Sequence, residues 1–205
     1  MRYDLLLCGV GGQGIITLSE IVATAAVSNG HKTIVTQSRG LAQRGGAVRA
    51  HIRIGDVYAP LMPKKAAHCM ISLELSESLR YVEYLNPDTI KAVSTTVVPT
   101  GGEKKKKKGP SAGELRIILE EKVTTYLGGQ LLIVEAERAA RDAGVPRGAN
   151  IFMIGILCGM DPRIESFISR DDMARAVETV VRHDRKGNLL MFEKGTAYGE
   201  SKKQK

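Results

Sequence analysis

The run Gly9-Val10-Gly11-Gly12-Gln13-Gly14 constrains this chain more than any other feature. It carries the pattern G-x-G-x-x-G between a buried-strand run (Tyr3 to Val10, with Leu5, Leu6, Leu7 and Cys8 continuously apolar) and a helical stretch, Ile15 to Asn29, that Gly30 is placed to end. A strand turning sharply into a helix opens a βαβ unit, which calls for a largely parallel sheet with helices packed on it. Glycines permit the tight turn and let another backbone come close. The helix then offers unpaired N–H groups and a positive dipole end to an anion. The residues leave two readings open, a bound phosphate group or a turn and nothing more. A dinucleotide site would want Asp or Glu after the second strand to hold a ribose, and Thr36-Gln37-Ser38 stands there. That argues against autonomous NAD binding. No G-x-x-x-x-G-K-[ST] phosphate loop is present.

Beyond the glycine loop, strands and helices alternate. Thr33 to Gln37 reads as a second strand. Ala47 to Ile54 alternates, with Val48, Ala50, Ile52 and Ile54 on one face and Arg49, His51 and Arg53 on the other. That pattern predicts a half-buried strand whose polar face meets solvent or a partner. Further strands are expected at 69–73, 89–98 and 130–134, and helices at 76–85, 114–127, 135–143, 150–160 and 187–198, with another capped by Ser169. The expected fold is α/β and Rossmann-like, a mostly parallel sheet with helices on both faces. It should form a single domain over residues 1–200, with a flexible Lys-rich loop at 103–109 and a disordered tail at 199–205.

Charge matters here by location. The net charge is +8, and Lys104 to Lys108 with Lys202, Lys203 and Lys205 account for all of it. Without them 22 basic residues face 22 acidic ones, so the basic balance is no footprint for nucleic acid. No apolar stretch approaches membrane-spanning length. Cys8, Cys69 and Cys158 share no C-x-x-C spacing, and the start Met1-Arg2-Tyr3-Asp4 leads directly into a strand. An odd thiol count without a leader points to the cytoplasm, with Cys8 and Cys69 as core residues. His31, His51, His68 and His183 are scattered without ligand spacing, and no nucleophile elbow or triad pattern appears. No catalytic or metal-binding residue is therefore expected.

A second constellation is Arg39-Gly40-Leu41-Ala42-Gln43-Arg44-Gly45-Gly46, just before the alternating strand. Arginines among glycines suit a fixed grip on carboxylate or phosphate. The competing reading is an exposed loop of solvated charges. Against it stands the density of Arg39, Arg44, Arg49 and Arg53 in one loop-strand unit.

The glycine loop, Gln43-Arg44-Gly45-Gly46 with Val48, His51-Ile52-Arg53-Ile54-Gly55, and Val57-Tyr58-Ala59-Pro60-Leu61 together resemble the gamma domain of 2-oxoacid:ferredoxin oxidoreductases. Gly148-Ala149-Asn150 ahead of an apolar helix through Gly155, and Asn188, Phe192 and Gly195 in a last helix, extend the resemblance over nearly the whole chain. Within the family, Gln43 to Gly46, His51 and Tyr58 to Leu61 look most like the small subunit of indolepyruvate oxidoreductase. Pyruvate- and 2-oxoglutarate-type gamma chains are the alternatives inside the family. A free-standing Rossmann NAD or flavin oxidoreductase and a non-catalytic scaffold are those outside it.

The resemblance implies a complex that converts a 2-oxoacid and coenzyme A to acyl-CoA and CO2, passing electrons through thiamine diphosphate and iron–sulfur clusters to ferredoxin. The thiamine motif G-D-G…N-N and a cluster-ligand cysteine set are absent here. The resemblance therefore places both on a thiamine-diphosphate-binding large subunit. This chain would supply architecture, an interface and part of the coenzyme A pocket. The candidate residues are Gly9, Gly11, Gly12, Gln13, Gly14, Arg44, Gly45 and Gly46, expected to flank one crevice, with Gln13 and Arg44 facing it or the large subunit. The lysine run has no counterpart in the resemblance.

Overall fold

The first strand, β1 (Arg2–Val10), is buried from Tyr3 to its end, so it needs cover on both faces and both edges. In the computed structural model, which describes residues 1–40, 46–98 and 110–203, it has all four. Gln43, Arg44, Gly45 and the lysine run lie outside the described residues. Leu5 and Leu7 point into one apolar cluster, Leu6 and Cys8 into another, as the two-residue period of a strand requires.

The sheet has six strands in the order β2-β3-β1-β4-β5-β6. β4 (Cys69–Ser72), β5 (Ile90–Ser94) and β6 (Leu131–Val134) continue parallel from β1. β2 (Thr33–Arg39) and β3 (Ala47–Gly55) form an antiparallel hairpin, and β3 pairs antiparallel with β1. β2 therefore lies beyond β3 and does not neighbour β1. The reason is the short link between them: parallel neighbours need a long crossover, whereas a short connection folds straight back.

α1 (Ile15–Ser28), α4 (Ala136–Asp142), α5 (Ala149–Met160), α6 (Arg170–Val180) and α7 (Arg185–Ser201) cover one face of the sheet. α2 (Leu75–Arg80) and α3 (Ala112–Lys122) cover the other. Eleven of the twelve residues of α5 are buried. It reaches that depth because Gly155 and Gly159 face Gly195 and Gly199 of α7, where any Cβ would run into the opposite helix backbone. α7 is thus longer than expected, and Gly199 is buried within it, so any loose tail begins only after Ser201.

The polar face of β3, expected to meet solvent or a partner, is covered largely by this chain itself. His51 and Arg53 are buried. Arg53 Nε donates to Asp4 Oδ1 at 2.6 Å, and Nη1 donates to the carbonyls of Ala59 at 2.8 Å and Leu61 at 3.2 Å. His51 meets Tyr84 edge-on, with ring centroids 4.9 Å apart. Arg49 alone is half-buried, its guanidinium over the Tyr81 ring at 5.3 Å. The strand alternates polar and apolar because one face meets aliphatic helices and the other meets aromatic and carbonyl partners.

A crevice at the carboxyl ends of the strands

The glycine loop sits where the chain order reverses. From β1 the chain crosses by α1 to β2 on one side, while β4, β5 and β6 extend on the other. In open α/β sheets such a switch point leaves a crevice beyond the strand ends. Gly12 has φ +101° and Gly14 φ +88°, a left-handed backbone that side chains rarely adopt. A Cβ on Gly14 would also collide with the Asn150 amide.

Gln13 explains why the loop holds its shape. Its Oε1 accepts from Val10 N at 2.8 Å, and its Nε2 donates to Leu73 O at 2.9 Å. The side chain closes its own turn and pins it to the end of β4. Both ends of its amide thus brace the loop, and Gln13 also lines the crevice beside it. Gly9 lies directly beneath, where a Cβ would press on Gln13 Oε1. Gly11 N donates to Gly46 O at 2.9 Å, so the arginine loop returns to β3 against the glycine loop. Of the eight sequence candidates, Gly9, Gly11, Gly12, Gln13 and Gly14 form one loop and Gly46 adjoins it. Arg44 and Gly45 are outside the described residues.

The crevice beside the loop has a volume of about 330 Å³, and its walls include Gly12, Gly14, Ser94, Glu137, Arg147 and Asn150. Two helices begin at it. Neither α1 nor α5 has a side-chain N-cap or an acidic residue in its first turn. Apart from Ile151 N, the first N–H groups of these helices without a partner among the described residues, and their positive dipole ends, are left to whatever occupies the space. Arg147 adds a full positive charge at the rim and Glu137 a negative one. Asn150 Oδ1 accepts from Ile151 N at 2.9 Å, while its Nδ2 has no acceptor among the described residues. Helix N-termini, an amide N–H and a guanidinium are groups that can receive an anion.

Ser94, Glu137 and Arg147 were not foreseeable as site residues, because only the topology brings the ends of β5 and α4 to the glycine loop. Gly148-Ala149-Asn150 was the one legible signal, since glycine and asparagine stand directly before a long apolar helix.

The chemistry of the remaining side chains limits what this chain can hold. Cys8, Cys69 and Cys158 are free and buried, on β1, β4 and α5. Burial pushes the Cys8 and Cys158 thiols up to about 12 and raises Cys69 as well. A cluster ligand must be a thiolate, so these three dispersed thiols do not fit an iron–sulfur group. No group of three His, Cys, Asp or Glu side chains is placed to hold a metal ion among the described residues. No described helix is long and apolar enough to cross a membrane.

The sequence and the fold both have counterparts among known proteins. The profile of the family described as pyruvate ferredoxin/flavodoxin oxidoreductase matches residues 4–198. The indolepyruvate oxidoreductase subunit IorB of Archaeoglobus fulgidus is 39% identical over 164 residues, covering 78% of this chain and 77% of that one. In fold, the gamma subunit of a keto/oxoacid ferredoxin oxidoreductase from Geobacter sulfurreducens superposes with a TM-score of 0.66 at 19% identity, covering 97% of this chain and 99% of that one. A 2-oxoglutarate:ferredoxin oxidoreductase from Magnetococcus marinus, solved with 2-oxoglutarate, coenzyme A and succinyl-CoA bound, superposes with a TM-score of 0.71 at 15% identity, covering 98% of this chain and 31% of that one.

Proposed function

Because this chain belongs to the pyruvate ferredoxin/flavodoxin oxidoreductase family and is a subunit of a 2-oxoacid:ferredoxin oxidoreductase, we propose that it serves an indolepyruvate-type complex and lends it a site for the phosphate-bearing end of coenzyme A. The substrate reading rests on the 39% identity to the A. fulgidus indolepyruvate oxidoreductase subunit. The site reading rests on one observation, the two uncapped helix N-termini that open with Arg147 onto the glycine-loop crevice. A space of about 330 Å³ suits a phosphate and its neighbours rather than a whole coenzyme A, so the rest of that molecule extends toward the partner subunit.

On this reading the chain binds and orients. Backbone N–H groups at the start of α1 and α5 receive the phosphate oxygens, the Asn150 Nδ2 donates to them, and Arg147 neutralises their charge. Glu137 limits the site to a ligand that also offers a donor. Such contacts hold the far end of a co-substrate while its thiol reacts elsewhere, which lowers the entropic cost of the acyl transfer. Thiamine diphosphate supplies the carbanion chemistry in enzymes of this kind. The thiols here do not fit the clusters, and the partner that carries both groups is the thiamine-diphosphate-binding large subunit. Ferredoxin is then the acceptor of the complex.

The test uses the complex reconstituted with that large subunit. Arg147→Ala should raise the KM for coenzyme A about tenfold, the loss of one exposed charged contact, with kcat little changed. Indolepyruvate should be turned over with a higher kcat/KM than pyruvate or 2-oxoglutarate. An unchanged KM for coenzyme A would remove the crevice from the site, and a preference for 2-oxoglutarate would overturn the substrate reading.

A further inference from the structure

β2 is an edge strand of the sheet, and an unusually bare one. Its register with β3 is unbroken from Thr33 opposite Ile54 to Arg39 opposite Val48, without a bulge or a proline. Gly40 N donates to Ala47 O at 2.7 Å, and Gly55 N donates to Lys32 O at 2.8 Å. Both ends of the hairpin thus place the inward backbone groups on even-numbered residues of β2. Antiparallel pairing alternates, so Thr33, Val35, Gln37 and Arg39 turn their N–H and C=O groups outward. Among the described residues nothing pairs with them. Such an edge is a template for another strand, and proteins usually blunt it with a proline, a bulge or an inward charge.

The surface beside this edge is already shaped. Tyr58 is 83% exposed and Leu61 51% exposed. Their segment does not wait for a partner to become ordered. Arg53 holds the Ala59 and Leu61 carbonyls from below, and Thr36 Oγ1 on β2 donates to Pro60 O at 3.1 Å. Lys32 Nζ stands over the Tyr58 ring, 4.2 Å from its centre. The strand therefore runs between two exposed cations, Lys32 and Arg39, alongside a fixed aromatic and aliphatic pair. Rigid exposed aromatics of this kind are the usual anchors of an interface.

We propose that β2 accepts an extended strand from the thiamine-diphosphate-binding subunit, one with acidic side chains toward Lys32 and Arg39 and an apolar side chain against Tyr58 and Leu61. The proposal rests on the reading of this chain as a subunit of that complex. Main-chain bonds to the outward groups supply affinity, and the flanking charges set the register. A second copy of this chain is the poorer occupant. Antiparallel self-pairing about Thr36 would set Lys32 opposite Gly40 and Arg39 opposite Thr33, and β2 has no acidic residue, so the cations of both copies would stay without a counter-charge along the new ladder.

Hydrogen exchange at single amides, in the isolated chain and in the reconstituted complex, tests this. The Val35 and Gln37 amides should exchange quickly in the isolated chain and about 100-fold more slowly in the complex. Equally fast exchange in an assembled, active complex would sink the proposal and leave the subunit reading intact. Protection already present in the monomer, or produced by dimerisation of this chain alone, would also overturn it. Failure to assemble with the large subunit would instead overturn the subunit reading. Val35→Pro removes one outward N–H and keeps the bonds to β3, so the variant should melt within a few degrees of the parent yet assemble at least about tenfold less well. Where that variant does not fold, exchange in the unaltered protein still decides. Lys32→Glu with Arg39→Glu should weaken assembly, and unchanged assembly would remove the acidic partner strand.

Discussion

His51 shows how much a single buried side chain can govern. Its ring is buried, and neither nitrogen has a hydrogen-bond partner among the described residues. Burial first, then the charges of Arg49 and Arg53, lowers its pKa from 6.5 to about 4. The native imidazole is therefore neutral where the unfolded one takes a proton. The unfolded chain binds more protons between pH 6.5 and about 4, so stability falls as pH drops through that window and levels off below it. By about pH 5 the loss should be about 2 kcal/mol. Denaturant titrations near neutrality and near pH 5 should show that loss in the parent but not in His51→Phe, and an equal loss in both would shift the cause elsewhere. Gln13 makes a second case. Gln13→Ala leaves Val10 N and Leu73 O without their partner, at a cost of about 1–3 kcal/mol. A melting temperature that does not move would show that these two bonds do not hold the loop. Both residues stood in legible motifs, yet their roles did not. A glutamine in a glycine loop looks the same whether it faces a ligand or its own backbone, and the sequence does not show that Leu73, just past the end of β4, lies within its reach.

Among the elements, the α5–α7 crossing should be the least forgiving contact. Gly155, Gly159, Gly195 and Gly199 bring two backbones together where no Cβ fits. Gly155→Ala or Gly195→Ala should destabilise the domain by about 1–3 kcal/mol through overpacking, read as a lower melting temperature, whereas Gly113→Ala on exposed α3 should not. If all three variants melt alike, the helices have room that the crossing does not show. The apolar run of α5 and the caps of α6 were plain in the sequence, because eleven buried residues in one helix leave no polar stripe to misread. Ser169 does cap α6, accepting from Asp172 N at 3.1 Å. The placement of β2 was not legible. A pattern of strand, helix, strand predicts a parallel neighbour, and nothing in the residues says that β3 will insert between them. The buried polar face of β3 was missed for a related reason: Arg53 is neutralised by Asp4, distant in sequence.

As a whole molecule, the chain is built to belong to something larger. Purified alone, it should reduce neither ferredoxin nor a viologen dye with any 2-oxoacid, with or without thiamine diphosphate, and turnover would overturn the division of labour proposed above. Its three thiols should react with a thiol reagent only after unfolding, since each is buried and held protonated. Reaction of a native thiol within minutes would show that the core opens. Replacing Lys104 to Lys108 with Gly and Ser should shift stability by about 0.5 kcal/mol or less. A large loss of stability or of assembly would show that the run has a partner. The depth of α5 bears on how the protein is made. The helix leaves the ribosome well before α7, its cover. Synthesis proceeds at roughly 5–20 residues per second, so the side of Ile151 to Met160 that α7 covers stands bare for about 2–8 seconds in every nascent chain. During that time the most apolar helix of the protein is a binding site for chaperones and for other unfinished chains. Overexpressed protein should therefore gain solubility from slower translation or co-produced chaperones, whether or not its partner subunit is present.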